Sequence, residues 1–164
     1  MSAWIQCVSL RMKAPYRSAA LLAAASIVLA GCGGHAATKN DVIARGNQIC
    51  ETAASSVRAV PPPNGQSISE LARYYKQLAP IVRTEAKQLQ ALPRPSPDRA
   101  LLGRYLDAVA TSANQYEALA AAAQNGDRAA LATAGAALRS NPAASLAESY
   151  GITRCGGSLG TAAS

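Results

Sequence analysis

From about residue 39 onward, apolar residues recur at intervals of three and four, the spacing of helices that bury one face. A first helix is predicted over 39–60, capped near Asn40 or Asp41, with Val42, Ile49, Cys50, Ala53, Val57 and Val60 along one stripe. Three prolines followed by Asn64-Gly65 end it. A second helix starts after Ser67, where Glu70 three residues on completes a capping-box pattern. Ile68, Leu71, Tyr75, Leu78, Val82, Leu89 and Leu92 form its stripe. Pro80 falls inside that stripe and removes one backbone hydrogen bond, but the apolar phase continues on both sides, so a kink is expected and not two helices.

The run Pro93-Arg94-Pro95-Ser96-Pro97 breaks the pattern again, with Ser96 as the expected cap and Pro97 at the first helical position. A third stripe of Leu102, Tyr105, Val109, Ala113, Tyr116, Ala120 and Ala123 stops at Asn125-Gly126. Asp127 caps a fourth segment carrying Leu131 and Leu138, which Asn141-Pro142 bends or splits before Leu146. Gly151 then supplies the left-handed residue that closes a helix. Phe is absent and Tyr is the sole aromatic type after Trp4. Cores of Ala, Leu and Val suit closely packed helices better than sheets. The expected fold class is all-α, an up-and-down four-helix bundle over 40–158, with a disordered tail at 159–164.

The N-terminal region obeys a different pattern. Arg11, Lys13 and Arg17 precede a 13-residue apolar run over 18–30 that ends at small residues. That run is too short for a bilayer, which needs about 20 apolar residues, so 1–31 reads as an export signal. Met12-Lys13 is a conventional start for such a leader, which leaves Met1 or Met12 as the true first residue. The boundary Leu29-Ala30-Gly31-Cys32 resembles the bacterial lipobox. That resemblance implies a diacylglycerol thioether on Cys32, cleavage before it, and anchorage at the outer face of the cytoplasmic membrane. Two or more acyl chains hold a protein there stably, whereas one binds marginally. The Gly-rich, polar stretch 32–39 reads as a flexible tether with a reach of about 15 Å, and it contains His35, the only histidine.

The net charge of +7 also changes with this reading. Without Arg11, Lys13 and Arg17 the chain from Cys32 holds 13 basic against 9 acidic residues, a balance of +4. That is too mild for a nucleic-acid partner, though compatible with anionic lipid or envelope polymer. With Cys7 removed and Cys32 acylated, Cys50 and Cys155 remain on the oxidising side of the membrane, where an even pair reads as one bridge. The alternative of two reactive thiols or a metal pair lacks a Cys-x-x-Cys spacing and a histidine partner.

Asn47-Gln48-Ile49-Cys50, Leu89-Gln90-Ala91-Leu92-Pro93 and Tyr150-Gly151-Ile152-Thr153-Arg154-Cys155-Gly156 resemble the small exported helical proteins and lipoproteins of actinobacteria. The resemblance covers most of the mature chain and implies a fold and a surface location. It implies no activity, because that group is largely of unknown function.

Catalytic chemistry is not legible. A di-iron bundle needs Glu-x-x-His repeats and a serine triad needs a histidine within the domain; neither is present, and no cofactor is expected. Arg73, Lys76, Arg83 and Lys87 share one sector of the second helix opposite its apolar stripe, either an ordinary solvated face or a strip that touches an anionic surface. Glu85 occupies a slot in the apolar seam between Val82 and Leu89. It is expected at the rim, paired with an arginine such as Arg104, or as the polar point of a small pocket opened at Pro80 with Tyr75 and Tyr105. The leading expectation is a non-enzymatic, membrane-anchored protein that binds an envelope protein or lipid. A carrier of a small apolar ligand, with its pocket near Pro80 and Glu85, is the rival.

Overall fold

A computed structural model describes residues 36–65 and 67–156. The leader, Leu29 to Cys32 of the lipobox, His35 and the tail at 159–164 lie outside the described residues. The chain divides into Met1–Gly34 and His35–Ser164, and the architecture below is that of the second unit. It is all-helical among the described residues: α1 (Lys39–Arg58), α2 (Ile68–Gln90), a 3-10 turn (Ser96–Asp98), α3 (Arg99–Gln124), α4 (Arg128–Arg139) and α5 (Ala143–Tyr150).

The helix ends follow from local chemistry. Thr38 caps α1, two or three residues earlier than expected: its side chain accepts from the Asp41 N–H while the Asp41 carboxylate accepts from the Thr38 N–H, satisfying two donors that a helix start leaves open. These bonds hold the Asp41 carboxyl below its ordinary range. Ser67 caps α2 by accepting from the Glu70 N–H at 3.3 Å. α2 runs unbroken through Pro80. Ser96 and Pro97 open the 3-10 turn, and α3 begins only at Arg99. Asp127 caps α4 through the Ala130 N–H at 2.9 Å. Gly151 ends α5 at φ 105°, in the left-handed region that glycine alone enters without strain.

Of the two alternatives at Asn141-Pro142, the fourth segment is split, into α4 and α5, because Asn141 redirects its hydrogen bonds. Its amide donates to the Ala108 carbonyl of α3 at 3.0 Å and its oxygen accepts from the Ala143 N–H at 2.9 Å, while Pro142 supplies no donor. α3 is the central helix, packing on α2, α4 and α5, and α1 packs on α2. Its inward positions carry Leu102, Leu106, Val109, Ala113 and Leu119 together with Tyr105 and Tyr116, all buried. The many alanines on α3 let neighbouring backbones approach, and the tyrosine rings fill the remaining volume. Gln90 Nε2 donates to the Leu106 carbonyl at 2.7 Å and joins α2 to α3 in a partly buried bond.

After α5 the chain returns to α1. Ile152 is fully buried against Gly46, where an added Cβ would lie 2.9 Å from the Ile152 Cδ1. The Arg154 N–H donates to Asn47 Oδ1 at 3.0 Å. This docking sets Cys155 beside Cys50 at disulfide distance, with 5.1 Å between their Cα atoms.

Candidate functional site

Where α1 and α2 lie side by side they form an open cleft of about 320 Å³. From α1 it is lined by Thr52, Ala53 and Ser56. Pro80, Ile81, Thr84, Glu85 and Gln88 complete it from α2. The volume falls at the lower end of the range typical of small-molecule sites. Residues 80, 81, 84, 85 and 88 fall on one face of α2 because they repeat at three and four. Pro80 cannot donate to the Lys76 carbonyl, and the Thr84 hydroxyl donates to the Pro80 carbonyl at 2.8 Å. Thr52 and Ser56 donate in the same way within α1, to the carbonyls of Gln48 at 2.9 Å and Thr52 at 3.1 Å.

Glu85 forms the inner side of this cleft. It is 2% exposed, and its Oε1 has no hydrogen-bond partner. Burial without a compensating cation pushes its carboxyl up to about 7. A carboxylate oxygen of Glu85 and the sulfurs of Cys50 and Cys155 lie within 4.8 Å of one another. This is the grouping of metal-ligating residue types among the described residues, but two sulfurs at bonding distance from each other are not a pair of thiolate ligands. Tyr105 and Tyr116 of α3 lie near enough to Glu85 for its charge to act on both phenols. Burial raises both phenols, that of Tyr116 to about 12, and the Glu85 charge adds to each.

The expected pocket residues separate. Pro80 and Glu85 line the cleft; Tyr75 and Tyr105 do not. Tyr105 is 1% exposed and belongs to the core, its hydroxyl without a hydrogen-bond partner, while the half-buried Tyr75 ring packs 5.5 Å from that of Tyr74. Glu85 is neither at the rim nor paired with Arg104, which is exposed. The α1 side of the cleft was not legible beforehand, because Thr52 and Ser56 look like ordinary polar positions on the outer face of a helix.

The basic strip changes as well. Arg83 does not point away from the bundle but reaches α3, where its guanidinium forms a two-pronged ion pair with Glu117 and donates to Asn114 Oδ1 at 3.0 Å. The hydrogen bond to Glu117 raises Arg83 and lowers Glu117 relative to their ordinary values. Arg73, Lys76 and Lys87 remain exposed. At the other end of the bundle Lys39 Nζ pairs with Asp98 Oδ1 at 3.2 Å and sits 4.9 Å from the centre of the Tyr150 ring, joining the start of α1 to the turn before α3 and the end of α5. No described helix is long and apolar enough to cross a membrane. Comparison with protein-family models, curated proteins and solved structures finds no match to this chain.

Proposed function

We propose that this chain is a non-catalytic binding protein of the cell envelope, tethered by acylated Cys32 to the outer face of the membrane and stapled by a Cys50–Cys155 disulfide. Its binding site is the α1–α2 cleft, and its ligand is a small molecule with an apolar body. The observation that carries this reading is a cleft of about 320 Å³ whose lining includes Glu85, a buried residue whose Oε1 has no partner. Buried polar groups are nearly always hydrogen-bonded, so an unpartnered buried acceptor on a residue that lines a cleft supports a recognition role for that residue. The basic strip supports an interaction surface less well, since Arg83 is already engaged by Glu117.

Two experiments test this. Cys32→Ala should move the protein from the membrane fraction to the soluble exported fraction; a variant that stays in the membrane fraction rejects the anchor. For the cleft, 2-phenylethanol should bind the full chain in calorimetric titration. Thr84→Trp, at an exposed position on the cleft wall, should fill the space and weaken that binding at least tenfold. Equal binding of the alcohol by the parent chain and Thr84→Trp, or binding of neither this alcohol nor its amine analogue by the parent chain, rejects the site.

A further inference from the structure

The hydroxyls lining the cleft share one property. Thr52, Ser56 and Thr84 each spend their single proton on a carbonyl of their own helix. What they turn toward the cleft is therefore oxygen lone pairs, and a hydroxyl has no second proton to give. Glu85 contributes further acceptor capacity, its Oε1 being unpartnered. Gln88 is the one lining side chain with N–H groups of its own. The cleft thus combines an apolar wall of Ala53, Pro80 and Ile81 with a surplus of acceptors.

Among the described residues no cation balances that surplus. The titratable groups that the structure places near Glu85 from the other elements are Tyr105 and Tyr116 of α3, Cys50 of α1 and Cys155 of the returning tail, all uncharged near neutral pH. On α2 itself Arg83 is held by Glu117 on the α3 side, and Lys87 is exposed.

Resting on the reading of the cleft as a ligand site, we infer that its ligand is a primary amine carrying a compact apolar body. An ammonium offers three N–H donors and no acceptor, which matches a lining of hydroxyl and carboxylate oxygens, and its charge supplies the partner that Glu85 lacks. An alcohol of equal size brings one donor. A carboxylic acid or phosphate brings acceptors and negative charge against acceptors. At about 30 Å³ for each water-sized group, the cleft takes on the order of ten non-hydrogen atoms, the size of an aryl-ethylamine or a short alkylamine. Because Glu85 must be ionised to pair with the ammonium, uptake is favoured above neutral pH and release below it.

The test compares phenethylamine with 2-phenylethanol, which differ only in the amine and hydroxyl, by calorimetric titration of the full chain at pH 8 and pH 5. At pH 8 the amine should bind at least tenfold tighter than the alcohol. That preference should vanish at pH 5 and in Glu85→Gln, while alcohol binding changes little. Equal affinity for the two probes at pH 8, or an amine preference that survives in Glu85→Gln, overturns the inference and leaves the cleft a ligand site. If neither probe binds at either pH, the ligand-site reading fails and the amine assignment with it.

Discussion

Cys50→Ala should lower the stability of the folded chain by roughly 4 to 5 kcal/mol, and thiol titration in denaturant should count one more free thiol than in the parent. The two cysteines stand 105 residues apart in sequence, so a bond between them closes nearly the whole helical unit into one loop. In the chain-entropy account the unfolded state then loses the freedom of that loop, which is where most of the stabilisation arises. The native geometry permits the bond without rearrangement: α1 offers Cys50 on its buried face, and Gly46 lets the Ile152 side chain sit directly against the helix backbone. Cys155 follows three residues after that contact and is itself buried. A urea midpoint unchanged by Cys50→Ala, with no new thiol, rejects the bridge. The double variant Cys50→Ala/Cys155→Ala separates the loss of the bond from the effect of leaving one buried thiol.

The second large effect is on the dependence of stability on pH. The Glu85 carboxyl titrates at about 7 in the folded chain against an ordinary value of 4.5. Below about pH 4.5 it is protonated in both folded and unfolded chains and contributes nothing. As pH rises from there, the unfolded chain gives up the proton while the folded chain keeps it, so the unfolded state binds fewer protons and stability falls. The fall is complete a little above pH 7, where both states are ionised, and amounts to on the order of 3 kcal/mol. Asp41 and Glu117, whose carboxyls are held below their ordinary values, act in the opposite direction at acid pH. Comparison with Glu85→Gln cancels them. The variant should be the more stable protein at pH 8 by on the order of 3 kcal/mol, and the two should converge near pH 4. Parallel stability curves across that range in urea unfolding would show that the carboxyl is not desolvated as the fold requires.

Both effects meet at one place. The sulfur pair and the Glu85 carboxyl lie within 4.8 Å of one another, so the link that holds the ends of the helical unit together abuts the inner side of the cleft. A cost in stability at Glu85 is tolerable where such a link supports the surrounding packing, and strained or uncompensated groups are found where a site needs them.

Much of this molecule was legible one helix at a time. The three- and four-residue spacing gave the helices and their buried faces. The Pro-rich and Asn-Gly breakers gave the loops, and Asp127 and Gly151 acted as a cap and a stop at the positions their chemistry demands. The same reasoning placed the α1 cap too late, because Thr38 and Asp41 form their reciprocal bonds across a boundary that composition alone marks weakly. It left open whether Asn141-Pro142 bends or splits the fourth segment, because the partners that draw Asn141 out of helical register, Ala108 and Ala143, include one 33 residues away.

Glu85 marks the division most clearly. Its position in an apolar seam singled it out beside Pro80, since periodicity is a local property that sequence carries in full. Whether that carboxyl met an arginine, water or nothing depended on which helix packed against α2 and in what rotation. Arg104 turned out to face solvent, Arg83 was drawn to Glu117, and the two tyrosines expected in the pocket went into the core or to its margin. Side-chain partners are chosen by contacts between elements distant in sequence, and only the assembled helices set those distances. Sequence by itself determined a helical pattern with a polar exception at residue 85; tertiary packing decided that the exception is buried on the lining of a cleft, beside the cysteine pair, with no cation near it among the described residues.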